Sequence, residues 1–302
     1  MDRSSDGYVR FMEALDIVTE YVPEPDCGHL DCSYVAVFDG GTYDLIPDGC
    51  VDVIYRGDGA MMVCGPESRG WSFQTSVGAT TVGVRLRPGV APLVMDAMCD
   101  EFAEQRIDLR DVTPDAFGSR LRSRLSSASS DHERRRLLVE AFATPVRSGP
   151  APRIGQALGD LDRGVAVIAG DLGWSRRHLS RLSAQWLGLD PTTYRRVIRL
   201  KRATGLMAAR CDVTLTDVAA AAGYSDQSHL HRDCVAILGR PPSEVRRPRA
   251  DGGTGTDPIR VIDDAMSPPY KEDATGTSYR RDGYRTTRGK EAQHDRGNIR
   301  DR

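Results

Sequence analysis

The feature that most constrains the fold is a pattern that occurs twice, with a spacing of 50 residues. In Val165–Trp186, a short apolar stretch is followed by Gly173, one bulky apolar residue, a serine and a second amphipathic stretch. The same order returns in Thr214–Leu238 around Gly223. Glycine gives a tight turn the backbone freedom that it needs, and serine is a favoured helix N-cap. Each copy therefore predicts a helix-turn-helix unit.

Each copy also has an apolar face and a polar face at helical spacing. The predicted inward positions are Leu179, Leu182 and Trp186 in the first copy, and Leu230, Cys234 and Ile237 in the second. The predicted N-caps are Ser175, Thr214 and Ser225. The remaining positions are rich in Arg, Ser, Gln and His, so the second helix of each unit should present a basic, hydrogen-bonding surface.

One long helix is predicted between the two copies. Asp190 is a good N-cap, Pro191 suits the first helical position, and the helix can run to about Ala209. At 1.5 Å per residue such a helix is roughly 28 Å long. Successive major-groove faces lie about 34 Å apart on one side of B-DNA. We therefore expect a rigid strut that places two recognition helices in adjacent major-groove segments. The basic residues of this strut are Arg195, Arg196, Arg199, Lys201 and Arg202.

The formal charge of −2 hides an uneven distribution. Residues 1–150 contain 15 Lys and Arg against 24 Asp and Glu, whereas residues 151–250 contain 16 against 9. An acidic half joined to a basic hundred residues indicates that only the second part meets a polyanion such as DNA.

Residues 153–248 resemble the DNA-binding domain of the AraC/XylS transcription regulators. In the first copy the matching residues are Ala169, Gly173, Trp174, Ser175, Leu179, Arg181, Gly188, Pro191, Arg199, Arg202 and Ala203. In the second they are Val218, Ala219, Gly223, Tyr224, Asp226, Gln227, Ser228, His229, Leu230, Arg232, Gly239, Pro241 and Pro242. Ser183 and Cys234 depart from the family, which usually has phenylalanine there. These two substitutions reduce the aromatic volume of the core.

The resemblance implies that the second helix of each unit enters the major groove. The implied base-reading residues are Arg177, Ser180 and Arg181 in the first unit, and Gln227, Ser228, His229 and Arg232 in the second. Arginine can bind guanine through two hydrogen bonds, and glutamine can bind adenine in the same way. Arg199 is expected to contact phosphate. The alternative is that these arginines only form a solvated face.

Residues 1–90 are predicted to be rich in β-structure. Apolar runs at residues 34–38, 51–55, 61–64 and 81–86 are separated by turn signals at 39–41, 47–49, 57–59 and 87–89. This spacing favours a small barrel or sandwich. From residue 91 the apolar period changes to that of helices, with predicted segments at 93–103, 117–125 and 137–142.

Residues 20–112 resemble an N-terminal domain found in some actinobacterial AraC-type regulators. The residues that carry this resemblance are Tyr21-Val22-Pro23, Pro47-Asp48-Gly49-Cys50-Val51-Asp52, Gly65-Pro66 and Gly83-Val84-Arg85-Leu86-Arg87-Pro88-Gly89. The resemblance implies a cupin-like barrel that binds a small effector and mediates dimerisation. The candidate effector-binding residues are Asp48, Cys50, Asp52 and Arg85, with Arg87 beside them. The alternative is a tight turn at Asp48 and a surface strand at Arg85.

The sequence therefore predicts an α+β multidomain chain. Residues 1–112 form a β-rich, cupin-like sensor or dimerisation domain, and residues 113–149 form a helical connector. Residues 150–249 form an all-α domain of two helix-turn-helix units joined by a linker helix. Residues 250–302 are predicted to be a disordered tail, because residues 251–302 contain no Leu, Phe, Trp or Cys.

The expected function is an effector-responsive transcription regulator that binds specific duplex DNA and RNA polymerase. It is expected to be a cytoplasmic protein, with a homodimer as one oligomeric alternative and no membrane partner, because no apolar run approaches about 18 residues. We expect no enzyme activity and no cofactor.

The fragment Cys27-x-His29-x2-Cys32 lacks an evident fourth metal ligand. Two alternatives are a DNA-repair protein that accepts alkyl groups on Cys50, and a nucleoid protein without sequence preference.

Overall fold

The computed structural model describes residues 18–24, 27–144, 149, 151–209 and 213–245. The predicted disordered tail, residues 250–302, lies outside the described residues. So does most of the proline-rich boundary at residues 144–152. Among the helices of the described ranges, none has both the length and the apolar character that a membrane span requires.

The N-terminal part is built on one antiparallel sheet. Its strands, within the described ranges, are β1 (Val18–Pro23), β2 (Leu30–Leu45), β3 (Val51–Arg56), β4 (Met61–Cys64), β5 (Trp71–Leu86) and β6 (Arg106–Asp108). Their order across the sheet is β1-β2-β5-β3-β4-β6. The four predicted apolar runs all fall within these strands. The sheet confirms the predicted β-rich N-terminal domain.

Three of the four predicted turns connect elements, and the fourth does not. The turn at residues 47–49 connects β2 to β3, and the turn at 57–59 connects β3 to β4. The turn at residues 87–89 follows β5. Residues 39–41 were expected to form a turn, but they lie inside β2. The pairing of β2 with β5 shifts register between Val37 and Asp39. Gly40 and Gly41 have φ values of 88° and 98°. The extra residue of this bulge lies on β5, between Val77 and Thr80, where Gly78 has a φ of 76°. β2 therefore continues through the glycine pair without ending.

The two faces of the sheet have different partners. Alternate residues of β3, such as Val51 and Val53, are buried in an apolar core together with Val84 of β5. This face is covered by α1 (Ala91–Val94), α2 (Asp115–Ser127) and α3 (Asp131–Phe142), of which α3 packs on β2 and β5. The residues between them face the opposite side and line a cavity.

One predicted helix, at residues 93–103, is wrong. The structure has the four-residue α1 and a separate 3-10 turn at Cys99–Glu101. The chain leaves the helix at Met95, whose backbone is extended with ψ of 166°. The N–H of Asp96 then donates to the carbonyl of Val112 rather than to a preceding turn. The apolar residues of this segment are buried by that contact with the chain before α2.

The C-terminal part is helical, as predicted. Its helices are α4 (Ala151–Gly159), α5 (Val165–Asp171), α6 (Arg176–Leu187), α7 (Pro191–Ala209), α8 (Leu215–Ala221), α9 (Gln227–Leu238) and α10 (Pro242–Val245). α5 and α6 form the first helix-turn-helix unit, and α8 and α9 form the second. α7 is the predicted linker helix, with the predicted start and end.

Gly65, at the end of β4, is a position where the sheet tolerates no side chain. A Cβ there would lie 2.1 Å from the backbone oxygen of Phe102. Gly65→Ala should therefore force a backbone shift and lower the free energy of unfolding by about 1–3 kcal/mol or more. The measurement is urea denaturation followed by circular dichroism.

Gly170→Ala is the matched control, because Gly170 lies on α5 with no heavy atom within 4 Å of the added Cβ. Alanine has the higher helix propensity, so this variant should be as stable as the parent or more stable. Equal denaturation midpoints for the two variants would contradict the packing described for Gly65.

Candidate DNA-binding surface and ligand cavity

The first helix-turn-helix unit follows the sequence prediction closely. Gly173 occupies the left-handed region with φ of 72° and turns the chain between α5 and α6. The Ser175 hydroxyl accepts a hydrogen bond from the backbone N–H of His178 at 3.1 Å, so it caps α6. Leu179 and Trp186 are buried. The buried Ser183 hydroxyl donates to the carbonyl of Leu189 at 2.7 Å, which satisfies the polar group that replaces the family's phenylalanine.

The second unit differs from the prediction at its cap. Gly223 turns the chain with φ of 82°, but Ser225 does not cap the helix. The Asp226 carboxylate accepts from the N–H of His229 at 2.7 Å, and Ser225 donates to the same carboxylate at 3.0 Å. A carboxylate is a stronger acceptor than a hydroxyl, so α9 begins one residue later than α6 does within its unit. The hydrogen bond from His229 also lowers the pKa of Asp226.

The linker helix is capped by Asp190, which accepts from the backbone N–H of Thr192 at 2.9 Å. Three of its basic residues are engaged or buried within the protein. Arg195 donates to the carbonyls of Leu158, Asp160 and Leu161 at the end of α4, at 3.2, 2.6 and 2.9 Å. Lys201 is buried. Arg196 binds a carboxylate of the second recognition helix, described next.

Asp233 is a residue that the sequence prediction missed. It is buried on α9, and its Oδ1 accepts from Nε and Nη2 of Arg196 at 3.0 and 2.8 Å. This pair ties the second recognition helix to the linker helix. An acidic residue directly after Arg232 on a basic helix was the available signal. The Asp233 carboxylate therefore holds α9 against α7, and it does not lie on the exposed side of α9.

The predicted DNA-binding residues are mainly on the exposed sides of α6 and α9. The exposed ones are Arg177, Ser180 and Arg181 on α6, and Gln227, Ser228 and Arg232 on α9. His229 is half-buried, with its ring 5.0 Å from that of Tyr224. Arg199 is also half-buried, with its guanidinium 5.2 Å from the Tyr224 ring centre. Arg181 and Arg232 are the sixth residues of two helices of equal length.

The second candidate site is a cavity of about 630 Å³ on the outer face of the sheet. The four predicted effector residues, Asp48, Cys50, Asp52 and Arg85, all line it. The pairing registers of the sheet also place five lining residues directly opposite one another. In order across β2, β5, β3, β4 and β6, they are Cys32, Arg85, Asp52, Cys64 and Arg106. A polar row therefore crosses the cavity wall.

Arg85 is the most enclosed charge of this wall, with 4% of its surface exposed. Its Nε and Nη2 donate to the two oxygens of Asp52 at 2.9 and 2.8 Å, and its Nη1 lies 2.7 Å from Asp48. Burial alone would raise the pKa of Asp48, but the charge of Arg85 holds that pKa below its ordinary value. Both carboxylates are therefore partners of one guanidinium.

Three further cavity residues were not predicted from the sequence. Glu67 is buried in the segment after β4 and forms an ion pair with Arg106 of β6. The Arg106 guanidinium stacks on Trp71, 3.5 Å from the ring centre. Burial raises the pKa of Glu67 to about 7 despite the neighbouring charge of Arg106. Only the pairing of β4 with β6 brings these residues together, and the sequence carries no local signal for it.

Cys50 does not have the environment of a reactive thiol. It is buried, and desolvation together with the charge of Asp48 raises its pKa well above the ordinary value. The thiolate is the nucleophile in alkyl transfer, and such an environment disfavours it. The alternative of an alkyl-accepting repair protein is therefore not supported.

The cluster at Arg85 predicts a large effect of removing the guanidinium. Arg85→Met leaves Asp48 and Asp52 unpaired in a buried site, so the free energy of unfolding at pH 7 should fall by about 3–5 kcal/mol. Because Asp48 has a lowered pKa in the native protein, its stabilising contribution is present above its unfolded pKa and is lost as the pH falls. The difference between the two proteins should therefore shrink as the pH falls below about 4, the pKa of an unperturbed aspartate, as measured by urea denaturation.

Arg110→Met is the matched control for this prediction. Arg110 also donates two hydrogen bonds to an aspartate, from Nε to Oδ1 of Asp108 at 3.1 Å and from Nη2 to Oδ2 at 3.0 Å. This pair, however, lies at the surface. Solvent screens exposed pairs, so the free energy of unfolding of this variant should differ from that of the parent by less than about 1 kcal/mol at every pH. An equal loss in both variants would contradict the role given to burial.

Two family models match the chain. A helix-turn-helix domain matches residues 168–248, and a domain of unknown function, DUF6597, matches residues 19–108. The first match contains α6 and α9, and the second contains the six-stranded sheet of the described residues except for Val18 of β1. No protein with a curated description matches the sequence.

Several solved structures are similar to parts of the chain. A transcriptional regulator with an AraC-type DNA-binding domain from Chromobacterium violaceum is 29% identical, over 34% of this chain and 96% of its own, with a TM-score of 0.30. The C-terminal domain of AraT, a response regulator from Geobacillus stearothermophilus, is 22% identical, over 34% and 89%, with a TM-score of 0.29. ToxT from Vibrio cholerae is 12% identical, over 76% and 97%, with a TM-score of 0.37.

With TM-scores this low, the assignment depends on the family models and on the two units themselves. The matched helix-turn-helix domain coincides with the two capped, glycine-turned helix pairs and with their exposed basic helices. The chain therefore contains a helix-turn-helix domain at residues 168–248 and, before it, a DUF6597 domain at residues 19–108, and the first of these domains supports a DNA-binding role in transcription regulation.

Proposed function

We propose that this protein is a sequence-specific, effector-responsive regulator that reads two adjacent major-groove segments with α6 and α9. The observation that carries the proposal is the equivalence of the two helices. Each has 12 residues, begins at a side-chain cap after a glycine turn, and exposes an arginine at its sixth position, Arg181 or Arg232. Two unrelated solvated helices have no reason to share these features.

The spacing of the two helices supports simultaneous reading. The linker helix α7 has 19 residues and is therefore roughly 28 Å long. That length is close to the separation of about 34 Å between successive major-groove segments on one face of B-DNA. The Arg196–Asp233 pair fixes α9 on this helix, so the second reading surface is held in place before DNA arrives. A preorganised surface loses less entropy on binding.

The base-reading roles follow from side-chain chemistry. Arg177, Arg181 and Arg232 can each bind guanine, Gln227 can bind adenine, and Ser180, Ser228 and His229 supply single hydrogen bonds. Arg199 lies at the side of the second unit and is assigned a phosphate contact. We assign the effector to the cavity lined by Asp48, Cys50, Asp52 and Arg85, since a concave site with a few convergent polar groups is the usual form of a ligand site.

The remaining assignments complete this proposal. Residues 1–112 are the sensor domain, residues 113–149 the connector and residues 150–249 the DNA-binding domain. RNA polymerase is the expected protein partner at the promoter, and a homodimer formed through the N-terminal half is the expected assembly. Regulation follows if the effector binds more tightly to one arrangement of the two domains than to the other.

Selection of bound duplexes from a random pool tests the proposal. The full chain should enrich a sequence with two conserved blocks whose centres lie about 10 base pairs apart. Arg181→Ala should relax the preference in one block, and Arg232→Ala in the other, each at a cost of about 1–3 kcal/mol in binding the selected duplex. The measurement is fluorescence anisotropy with selected and scrambled duplexes at fixed salt.

Two further variants serve as controls for the selection. Arg199→Ala should weaken all duplexes alike and reduce the slope of log affinity against log salt by about one, because it removes one phosphate contact. Arg120→Ala, an exposed arginine of α2, should change neither quantity. A pool that yields no enriched sequence would overturn the proposal and favour a nucleoid protein without sequence preference.

A further inference from the structure

The segment between β4 and β5, residues Gly65–Gly70, has two sides with different partners. We call it the β4–β5 loop. On one side, Gly65 and Glu67 line the cavity, and Trp71 continues that wall at the start of β5. On the other side, the loop contacts the C-terminal ends of both recognition helices. It is therefore a structural element shared by the ligand cavity and the two DNA-reading surfaces.

The contact with the first recognition helix is made by Pro66. α6 ends at Gly188, which has a φ of 71°. A Cβ on Gly188 would lie 2.4 Å from Cγ of Pro66 and 3.3 Å from the carbonyl oxygen of Cys99. The end of this helix is thus in direct van der Waals contact with the loop.

The contact with the second recognition helix is made by Gly70. Its backbone N–H donates to the carbonyl of Ile237, in the last turn of α9, at 2.8 Å. Next to this bond, Arg240 forms an ion pair with Asp44 of β2 at 2.8 Å. Asp44 also accepts from the hydroxyl of Ser72 on β5 at 2.5 Å. These bonds link the end of α9 to the strands that carry Trp71.

The hydrogen-bond donors and acceptors of the lining side chains indicate which class of ligand the cavity would bind. Among the described lining residues, each acidic side chain has a guanidinium partner. Arg85 engages two carboxylates and Arg106 engages Glu67. Nε of Arg106 is a buried donor without a hydrogen-bond partner, and so is Nη1 of Arg85, which is joined to Asp48 only as an ion pair. An anionic ligand supplies the acceptor that Arg106 lacks.

The rest of the wall is apolar and aromatic. The lining residues of this kind include Tyr34, Phe38, Leu45, Ile54, Met62, Trp71 and Phe73. Phe38 and Trp71 each contact the Phe73 ring, at centre-to-centre distances of 5.7 and 5.5 Å. A ligand that reaches Arg106 would therefore lay its body against rings and aliphatic side chains. A volume of about 630 Å³ suits a small organic molecule rather than a bare ion.

We propose that the cavity binds a small amphipathic carboxylate, which takes the place of Glu67 on Arg106, and that the β4–β5 loop passes this exchange to the ends of α6 and α9. This inference rests on the proposed function, because it identifies the effector class and the route from effector to DNA. Glu67 belongs to the loop, so its release from Arg106 removes a bond that holds the loop against the cavity. The two helix ends that contact the loop then respond together.

Matched ligands test the binding half of the proposal on the full-length chain. The probes are phenylalkanoates of increasing chain length, with the phenylalkylamine and phenylalkanol of each length as partners. The carboxylates should bind at one site, at least about tenfold more tightly than their partners, by titration calorimetry. Equal or tighter binding of the amines, or no carboxylate with a Kd below about 1 mM, would overturn it.

Two arginine variants locate the carboxylate. Arg106→Gln should weaken phenylalkanoate binding about tenfold or more. Arg56→Gln is the matched control, because Arg56 also lines the cavity but is half exposed and paired with Asp58. It should bind as the parent does. Undiminished binding by Arg106→Gln, with its fold confirmed by circular dichroism, would contradict the site.

The pH dependence of binding provides a second readout. Glu67 faces Arg106, with the charges of Glu104 and Asp48 nearby, and its pKa is about 7. Protonated Glu67 no longer competes for Arg106, so the affinity for the carboxylate should rise about tenfold from pH 8 to pH 6, where the ligand remains ionised. Glu67→Gln should bind tightly at both pH values. A parent protein with pH-independent affinity would contradict the exchange.

The coupling half is tested with the selected duplex. A saturating phenylalkanoate should change the affinity of the parent for this duplex at least about threefold, and the duplex should change the ligand affinity by the same factor. Pro66→Ala should keep the ligand affinity but reduce this factor, whereas Pro114→Ala, on an exposed cap, should not.

The ligand class, the role of the β4–β5 loop and the proposed function give separate outcomes in these experiments. Ligand selectivity with no change in duplex affinity would overturn the role of the loop while leaving the cavity assignment. A chain that enriches no duplex would overturn the proposed function, and the calorimetry of Arg106→Gln would still decide the ligand class.

Discussion

Arg85 holds two carboxylates inside the N-terminal domain, and each of them belongs to a different part of the structure. Asp52 lies directly opposite on β3, so its pair with Arg85 lies within the sheet. Asp48 lies in the turn after β2, where a Cβ on Gly49 would lie 2.9 Å from the Tyr194 ring of α7. A planar guanidinium can hold both at once because its donors form a rigid fork. The cavity wall and the linker helix are therefore anchored to the same buried charge.

The apolar core extends this connection to the first helix-turn-helix unit only. One buried cluster contains sheet residues such as Val53 together with Leu179 and Trp186 of α6 and Val197 of α7. The second unit buries its own cluster, around Leu230. Moving the first unit would open the shared core, and moving the second would open the cluster that it shares with Leu200, Ala203 and Met207 of α7.

The sequence predicted the features that depend on neighbours in the chain, such as glycine turns, most caps and the full length of the linker helix. The sequence prediction failed for side chains whose contacts are made with residues distant in the chain. Arg195 was expected to face DNA, but it meets the carbonyl ends of α4, more than 30 residues away. Glu67 and Arg106 were not recognised as cavity residues, because only strand order brings them together. Asp226 was missed as a cap because Ser225 and Asp226 could both cap the helix, and the carboxylate of Asp226 is the stronger acceptor.

These inward-facing charges change what the basic character of the C-terminal domain means. A phosphate contact contributes to affinity by releasing counterions, and each such contact adds about 0.9 to the salt slope on B-DNA. Arg195, Arg196 and Lys201 are engaged or buried within the protein, so the linker helix offers fewer phosphate contacts than its composition suggests. Under the proposed function, a larger share of the binding energy comes from base contacts of α6 and α9. A protein with this balance gains less from random DNA, which favours discrimination between sequences over tight general binding.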